Sequence, residues 1–118
     1  MLAEGKVVLA IYHSSKLAGG TVLSLDDASG CNTVELLFIS ADEKGQGLGT
    51  QVWHTIEGMY PETKKWELGT PYFLKRNIHF YINKCGFKIT RYYNKWNPFI
   101  SEGRVDDGDF FWFEKEMF

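Results

Sequence analysis

Three glycines alternate in the stretch KGQGLG, residues 44–49, directly before the helical apolar spacing of TQVWHTIE, residues 50–57. A helix start leaves about four backbone N–H groups without intrahelical partners, and the helix dipole adds partial positive charge at the same end. Glycines let the preceding loop curl so that successive N–H groups converge, with no Cβ to block an approaching phosphate. The chemistry this spacing offers is the holding of an anion, and Lys44 adds a charge at the rim. The same glycines also suit a tight strand-to-helix turn, and spacing alone does not choose between the two. The stretch is not a Walker loop, since it lacks the Gly-Lys-Ser/Thr ending, nor is it a full dinucleotide fingerprint.

The elements that must position this loop follow from periodicity. KVVLAIYH (6–13), LAGGTVLSLDD (17–27) and TVELLFIS (33–40) read as three strands, with Gly19 and Gly20 marking a bulge or a close backbone approach. The continuous apolar tail of the third strand predicts burial on both faces near the centre of a sheet. Leu48, Val52, Ile56 and Met59 form the core stripe of a helix that Pro61 helps to stop. KKWELGTP (64–71) reads as a short strand. A second helix runs from about Leu74 to Cys85 through Ile78, Tyr81 and Ile82, and Gly86 is its left-handed C-terminal residue. FKITRYYNKW (87–96) and DFFWFEKEM (109–117) are the last strands, joined by a polar loop from about Asn97 to Gly108. The expected order β-β-β-α-β-α-β-β is a mixed α/β sheet of the α+β kind, with hairpins at both ends.

At 118 residues, 44% hydrophobic, the chain suits one compact core, so a single domain over 1–118 is expected. Lys plus Arg number 13 against 15 Asp plus Glu, which gives no electrostatic footprint for a nucleic-acid backbone and suits a cationic or neutral small partner. The longest apolar runs, such as VVLAIY (7–12), fall far short of the roughly 20 residues that span a bilayer. The N-terminus has no basic-then-apolar signal pattern, so no membrane partner and a cytoplasmic location are expected. Cys31 and Cys85 lack metal-ligand spacing, so both are read as reduced thiols and no metal site is expected. Exposed aromatics in RYYNKWNPFI (91–100), or sheet edges in need of cover, make a homodimer an open possibility.

In their joint order, LLFISADEKGQGLGTQVWHTIE, KKWELGTP and RNIHFYINKCGF resemble the GNAT acetyltransferase superfamily. Its signature is a strand, then Gln/Arg-x-x-Gly-x-Gly/Ala opening a helix, then a strand, then a helix bearing Asn and Tyr that ends in Gly-Phe. Lys44 stands at the Gln/Arg position here, and the Tyr81-to-Gly86 interval is one residue longer than in many members. The resemblance covers about residues 6–117 and implies a GNAT-like acyl-CoA N-acyltransferase fold without the usual first strand and covering helices. It also implies acetyl-CoA, with its pyrophosphate over Lys44, Gly45, Gln46, Gly47, Leu48, Gly49 and Thr50, and an amine acceptor, small molecule or peptide.

By the same resemblance, a backbone N–H within Phe38, Ile39 and Ser40 supports the thioester carbonyl, and this segment pairs with the pantetheine arm. Tyr81 is the candidate general acid for the departing sulfur, beside the plainer reading of an aromatic that packs the helix. Asn77, four residues before Tyr81 and thus on the same helix face, either hydrogen-bonds the cofactor or caps the helix start. Glu35 is a candidate base, or a solvated strand carboxylate. A non-catalytic acyl-CoA-binding or interaction module of the same fold is the main rival reading. FYINKCGF (80–87) also resembles the glyoxalase and bleomycin-resistance superfamily, which would require metal ligands such as His13 with Glu35 or Glu114, and would leave the glycine-opened helix unexplained.

Overall fold

The computed structural model describes residues 5–40, 47–71, 74–101, 104–106 and 108–117, and of residues 101 and 104–106 the backbone alone. Strands β1 (Lys6–His13), β2 (Lys16–Ser24) and β3 (Cys31–Ile39) are followed by α1 (Leu48–Met59) and β4 (Lys65–Pro71). Helix α2 (Lys75–His79) runs into a π-helical turn (Phe80–Lys84), and β5 (Lys88–Tyr93), β6 (Phe99–Ser101), β7 (Arg104–Asp106) and β8 (Phe110–Glu116) complete the chain. Six strands form one mixed sheet in the order β1-β2-β3-β4-β8-β5, and β6 and β7 form a separate antiparallel pair. The expected loop over 97–108 therefore contains a short hairpin. The chain divides into two compact units, Met1–Trp66 with Glu116–Phe118, and Glu67–Lys115.

In the first unit the antiparallel register fixes which side chains share a face. Val8, Val22 and Leu36 lie in one row across β1, β2 and β3, and Ala10, Gly20 and Phe38 lie in the next. Tyr12 pairs with Leu17, because Ala18 is an extra residue inserted into β2. Glu35 is likewise an extra residue in β3, since Leu23 pairs with Val34 while Val22 pairs with Leu36. A bulge moves every later side chain to the opposite face. Val34 points inward before the bulge, and Leu37 and Ile39 after it, on the side where Ile11, Ala18, Leu48 and Val52 form a core. Leu36 and Phe38 consequently point outward and are half exposed. The expectation of burial on both faces of β3 is thus corrected: the apolar run fills two faces, of which α1 covers one.

Gly19 and Gly20 have the predicted role. A Cβ on Gly19 would overlap the Phe38 carbonyl oxygen, far inside van der Waals contact, which leaves glycine as the residue that fits between the two strands. Strand β2 ends at Ser24, short of the predicted Asp27, because the Asp26 carboxylate accepts the Ala28 N–H at 3.1 Å and turns the chain. The same device ends β5 at Tyr93, where Asn94 Oδ1 accepts the N–H groups of Trp96 and Asn97 at 2.9 and 3.0 Å.

Trp53 joins Leu48 and Ile56 as the buried residues of α1, whereas the predicted core residue Met59 is half exposed at the helix end. Trp53 meets Trp66 edge-on with centroids 5.2 Å apart, a geometry worth about 0.5–1.5 kcal/mol beyond the buried area. Buried Asn32 ties the segment after α1 to β3. Its Nδ2 donates to Thr63 Oγ1 at 2.8 Å, and its Oδ1 accepts the Asp26 N–H at 2.9 Å. The second unit is aromatic. Phe87 and Phe113 are fully buried against Tyr81, and Phe110 covers Gly69 so closely that a Cβ there would overlap its ring.

Candidate active site

The mouth of α1 has an unusual N-cap. Gly47 takes φ 73° and ψ 8°, the left-handed region that favours glycine, where N-caps commonly use an extended residue and a side-chain acceptor. Among the described residues no side chain caps the helix, and its first turn holds no acidic residue. The first intrahelical bond runs from Gln51 N–H to the Gly47 carbonyl at 3.2 Å, so the amides of Leu48, Gly49 and Thr50 precede the ladder. Among the described residues, a Cβ at Gly47 would meet nothing within 4 Å. Among the described residues the cap is left-handed, without a side-chain cap and with nothing close over Gly47, a form that suits an anion. Leu48 anchors it by burying its side chain against Ile11 and Ala18. Lys44, Gly45 and Gln46 lie outside the described residues.

At the end of β3 the register selects one amide from the three-residue expectation. Ser40 N–H donates to the Ala18 carbonyl at 2.6 Å and is thereby committed to β2. Antiparallel pairs alternate between bonded and non-bonded, so Ile39, opposite Gly19, turns its N–H and C=O away from β2, while Phe38 again faces it. Ile39 is the residue of this segment whose backbone is not directed at β2.

Glu35 sits differently from a catalytic base. Lys6 forms an ion pair with its Oε2, and Ser24 Oγ donates to the same oxygen at 2.5 Å. Partial burial alone would raise its pKa, but the hydrogen bonds from Lys6 and Ser24 and the Lys6 charge outweigh this and hold the carboxyl below its ordinary value. In this structure the Glu35 carboxylate is thus engaged by Lys6 and Ser24 at the β3 bulge.

In the second unit Tyr81 is the buried residue of the π-helical turn, packed edge-on to Phe87 at 5.8 Å and tilted against Phe113 at 6.1 Å. Burial, with the neighbouring Cys85 thiol adding to it, pushes the phenol up to about 12, so it stays protonated through the neutral range. The turn has a wide pitch: Cys85 N–H reaches the Phe80 carbonyl at 3.1 Å, and Phe87 N–H reaches the Tyr81 carbonyl at 2.9 Å. Gly86, at φ 85°, closes it in the left-handed conformation expected, and Lys115 Nζ donates to the Cys85 carbonyl at 2.7 Å. Such turns accommodate one surplus residue and recur at functional sites. The turn falls on the Tyr81-to-Gly86 interval, which the resemblance to the family marks as one residue long.

Asn77 does not cap the helix. The N-cap is Leu74, without a side-chain bond, and Asn77 is an exposed residue one turn in. Although four residues apart, Asn77 and Tyr81 differ in environment, one in solvent and one in the core. Among the described residues there is no cluster of three or more His, Cys, Asp or Glu able to hold a metal ion, and no helix long and apolar enough to cross a membrane.

Residues 2–87 match the model of the Acetyltransferase (GNAT) family. The chain belongs to this family. Among curated proteins, the uncharacterized protein YrkN of Bacillus subtilis (strain 168) is 43% identical over 124 residues, which span 98% of this chain and 67% of YrkN. Solved structures agree on the fold. The IAA acetyltransferase from Bacillus cereus ATCC 14579 superposes with a TM-score of 0.75 at 18% identity, covering 97% of this chain and 79% of its own. A Bacillus subtilis acetyltransferase in complex with CoA reaches 0.77 at 16% identity, covering 98% and 79%. A GNAT acetyltransferase from Elizabethkingia anophelis with acetyl-CoA bound reaches 0.75 at 18%, covering 96% and 77%. The GNAT fold expected from the motif order is therefore the fold of this chain.

Proposed function

We propose that this GNAT protein moves an acetyl group from acetyl-CoA to a primary amine in the cytoplasm. The observation that carries the reading is Gly47 at the mouth of α1, left-handed and, among the described residues, uncapped and unobstructed, on a fold shared with structures that hold CoA and acetyl-CoA. The amides of Leu48, Gly49 and Thr50 would take the diphosphate, with Lys44, Gly45 and Gln46 completing the loop. Asn77 would add a hydrogen bond to the cofactor.

Acetyl-CoA supplies an activated acyl thioester whose sulfur departs needing a proton. Ile39, within the segment Phe38–Ser40, offers a backbone N–H to the carbonyl oxygen, where negative charge develops. Tyr81 holds a phenolic proton for the sulfur, and its raised pKa keeps that proton in place at neutral pH. The acceptor amine must arrive neutral, and its proton passes to solvent. Glu35 takes no part, because its carboxylate is held by Lys6 and Ser24.

One observation favours a non-catalytic acyl-CoA binder instead: Tyr81 is only 6% exposed. Calorimetry with acetyl-CoA, followed by thiol release over a panel of amines on the same sample, separates the two. Catalysis requires binding plus turnover of at least one amine, whereas a binder shows affinity and none. Gly47→Val, folded by circular dichroism, should lose cofactor affinity at least tenfold. Undiminished affinity in that variant would remove the α1 mouth from the reading.

A further inference from the structure

We infer that the outer face of the β1–β2–β3 sheet is a contact surface for a second copy of this chain. The inference rests on the register of this unit and is independent of the cofactor reading. An antiparallel sheet with one face on a core ordinarily turns polar side chains to water on the other. Here the outward rows are apolar throughout: Val8 is 56% exposed, Tyr12 66%, Leu17 58%, Leu36 50% and Phe38 53%. At the Lys6 end of the rows the polar groups of Lys6, Ser24 and Glu35 satisfy one another.

Size points to the occupant. Five large apolar residues half exposed or more leave on the order of 500 Å², the scale of the largest patch on a typical monomer. Two such patches facing each other reach the roughly 1,000 Å² of total buried surface that a specific interface needs. Sheet faces pack at about 10 Å with side chains interdigitating, and a two-fold axis sets the same patch on both sides. The Phe38 ring lies over Gly20, so the outer row formed by Ala10, Gly20 and Phe38 is filled from within the chain. Among the described residues β1 is the edge strand on this side of the sheet.

Sedimentation equilibrium on the full chain tests this. The wild type should self-associate as a dimer with a dissociation constant at or below about 10 μM. The double variant Val8→Lys, Leu17→Glu, on exposed positions outside the cofactor site, should weaken association at least tenfold with an unchanged circular dichroism spectrum. Trp96→Glu, 80% exposed in the other unit, should leave the dimer intact. If the double variant does not fold, Leu36→Lys is read in its place. A wild type that stays monomeric up to about 100 μM overturns the proposal, as does a dimer that Trp96→Glu breaks and the outer-face variants leave unchanged.

Discussion

Phe87 donates its backbone N–H to the Tyr81 carbonyl at 2.9 Å across six residues, which locks the wide turn that carries the candidate proton donor. The side chain of Tyr81 is therefore set by backbone bonds that its own hydroxyl does not make. Tyr81→Phe should keep the fold and acetyl-CoA affinity while lowering kcat by about 10²-fold, the usual contribution of a positioned acid. Steady-state thiol release checks it, and unchanged turnover would return Tyr81 to a packing role.

The raised phenol also makes alkaline stability a readout. The unfolded phenol titrates near 10 and the folded one near 12, so between these values the native state binds more protons and stability falls as pH rises. The loss should total on the order of 2–3 kcal/mol by pH 12. Tyr81→Phe should remove that component from urea midpoints measured at pH 9 and above.

Glu35→Gln should leave turnover within about threefold of wild type, because a base would have cost at least about 10²-fold. The carboxyl is held low in the folded state, so its contribution to stability is present above the unfolded value near 4.3 and is lost as pH falls through the folded value. The variant should flatten the acid limb of the stability profile, measured by thermal melts between pH 3 and 6.

Gly19→Ala drives a methyl group into the Phe38 carbonyl oxygen, a backbone atom that cannot swing aside. Destabilisation of about 1–3 kcal/mol is expected, from overpacking that must part β2 from β3. Urea unfolding should show a lower midpoint with an unchanged slope.

Much of this arrangement is legible in the sequence alone. Gly86, the opening of α1 at Leu48 and the close approach at Gly19 each rest on local backbone geometry, which residue type reports directly. The face assignment of β3 is not legible, because the bulge at Glu35 reverses the alternation and a bulge has no residue signature beyond its cross-strand partner. Trp53 escapes for a related reason: the spacing of Leu48, Val52 and Ile56 defines a stripe but not its width, and the large ring beside it buries from the flank. The hairpin of Phe99–Ser101 and Arg104–Asp106 does leave a signal, since FIS and RVD are separated by the two residues Glu-Gly, a spacing typical of tight hairpins. At the candidate site, the left-handed Gly47 is the part of the glycine loop among the described residues that local spacing anticipates. The choice of Ile39 needs the pairing register, and the engagement of Glu35 needs Lys6 and Ser24, which lie 29 and 11 residues away in sequence.

The broad turn at Phe80–Lys84 also bears on how this lineage tolerates insertion and deletion. An added residue taken up as a wider loop of helix leaves Gly86 and everything after it where they were, so strand β5 keeps its pairing with β8. A sister sequence one amino acid shorter between Tyr81 and Gly86 would then close as ordinary α-helix, and an alignment of the two should open a single gap there, with the downstream strands in phase.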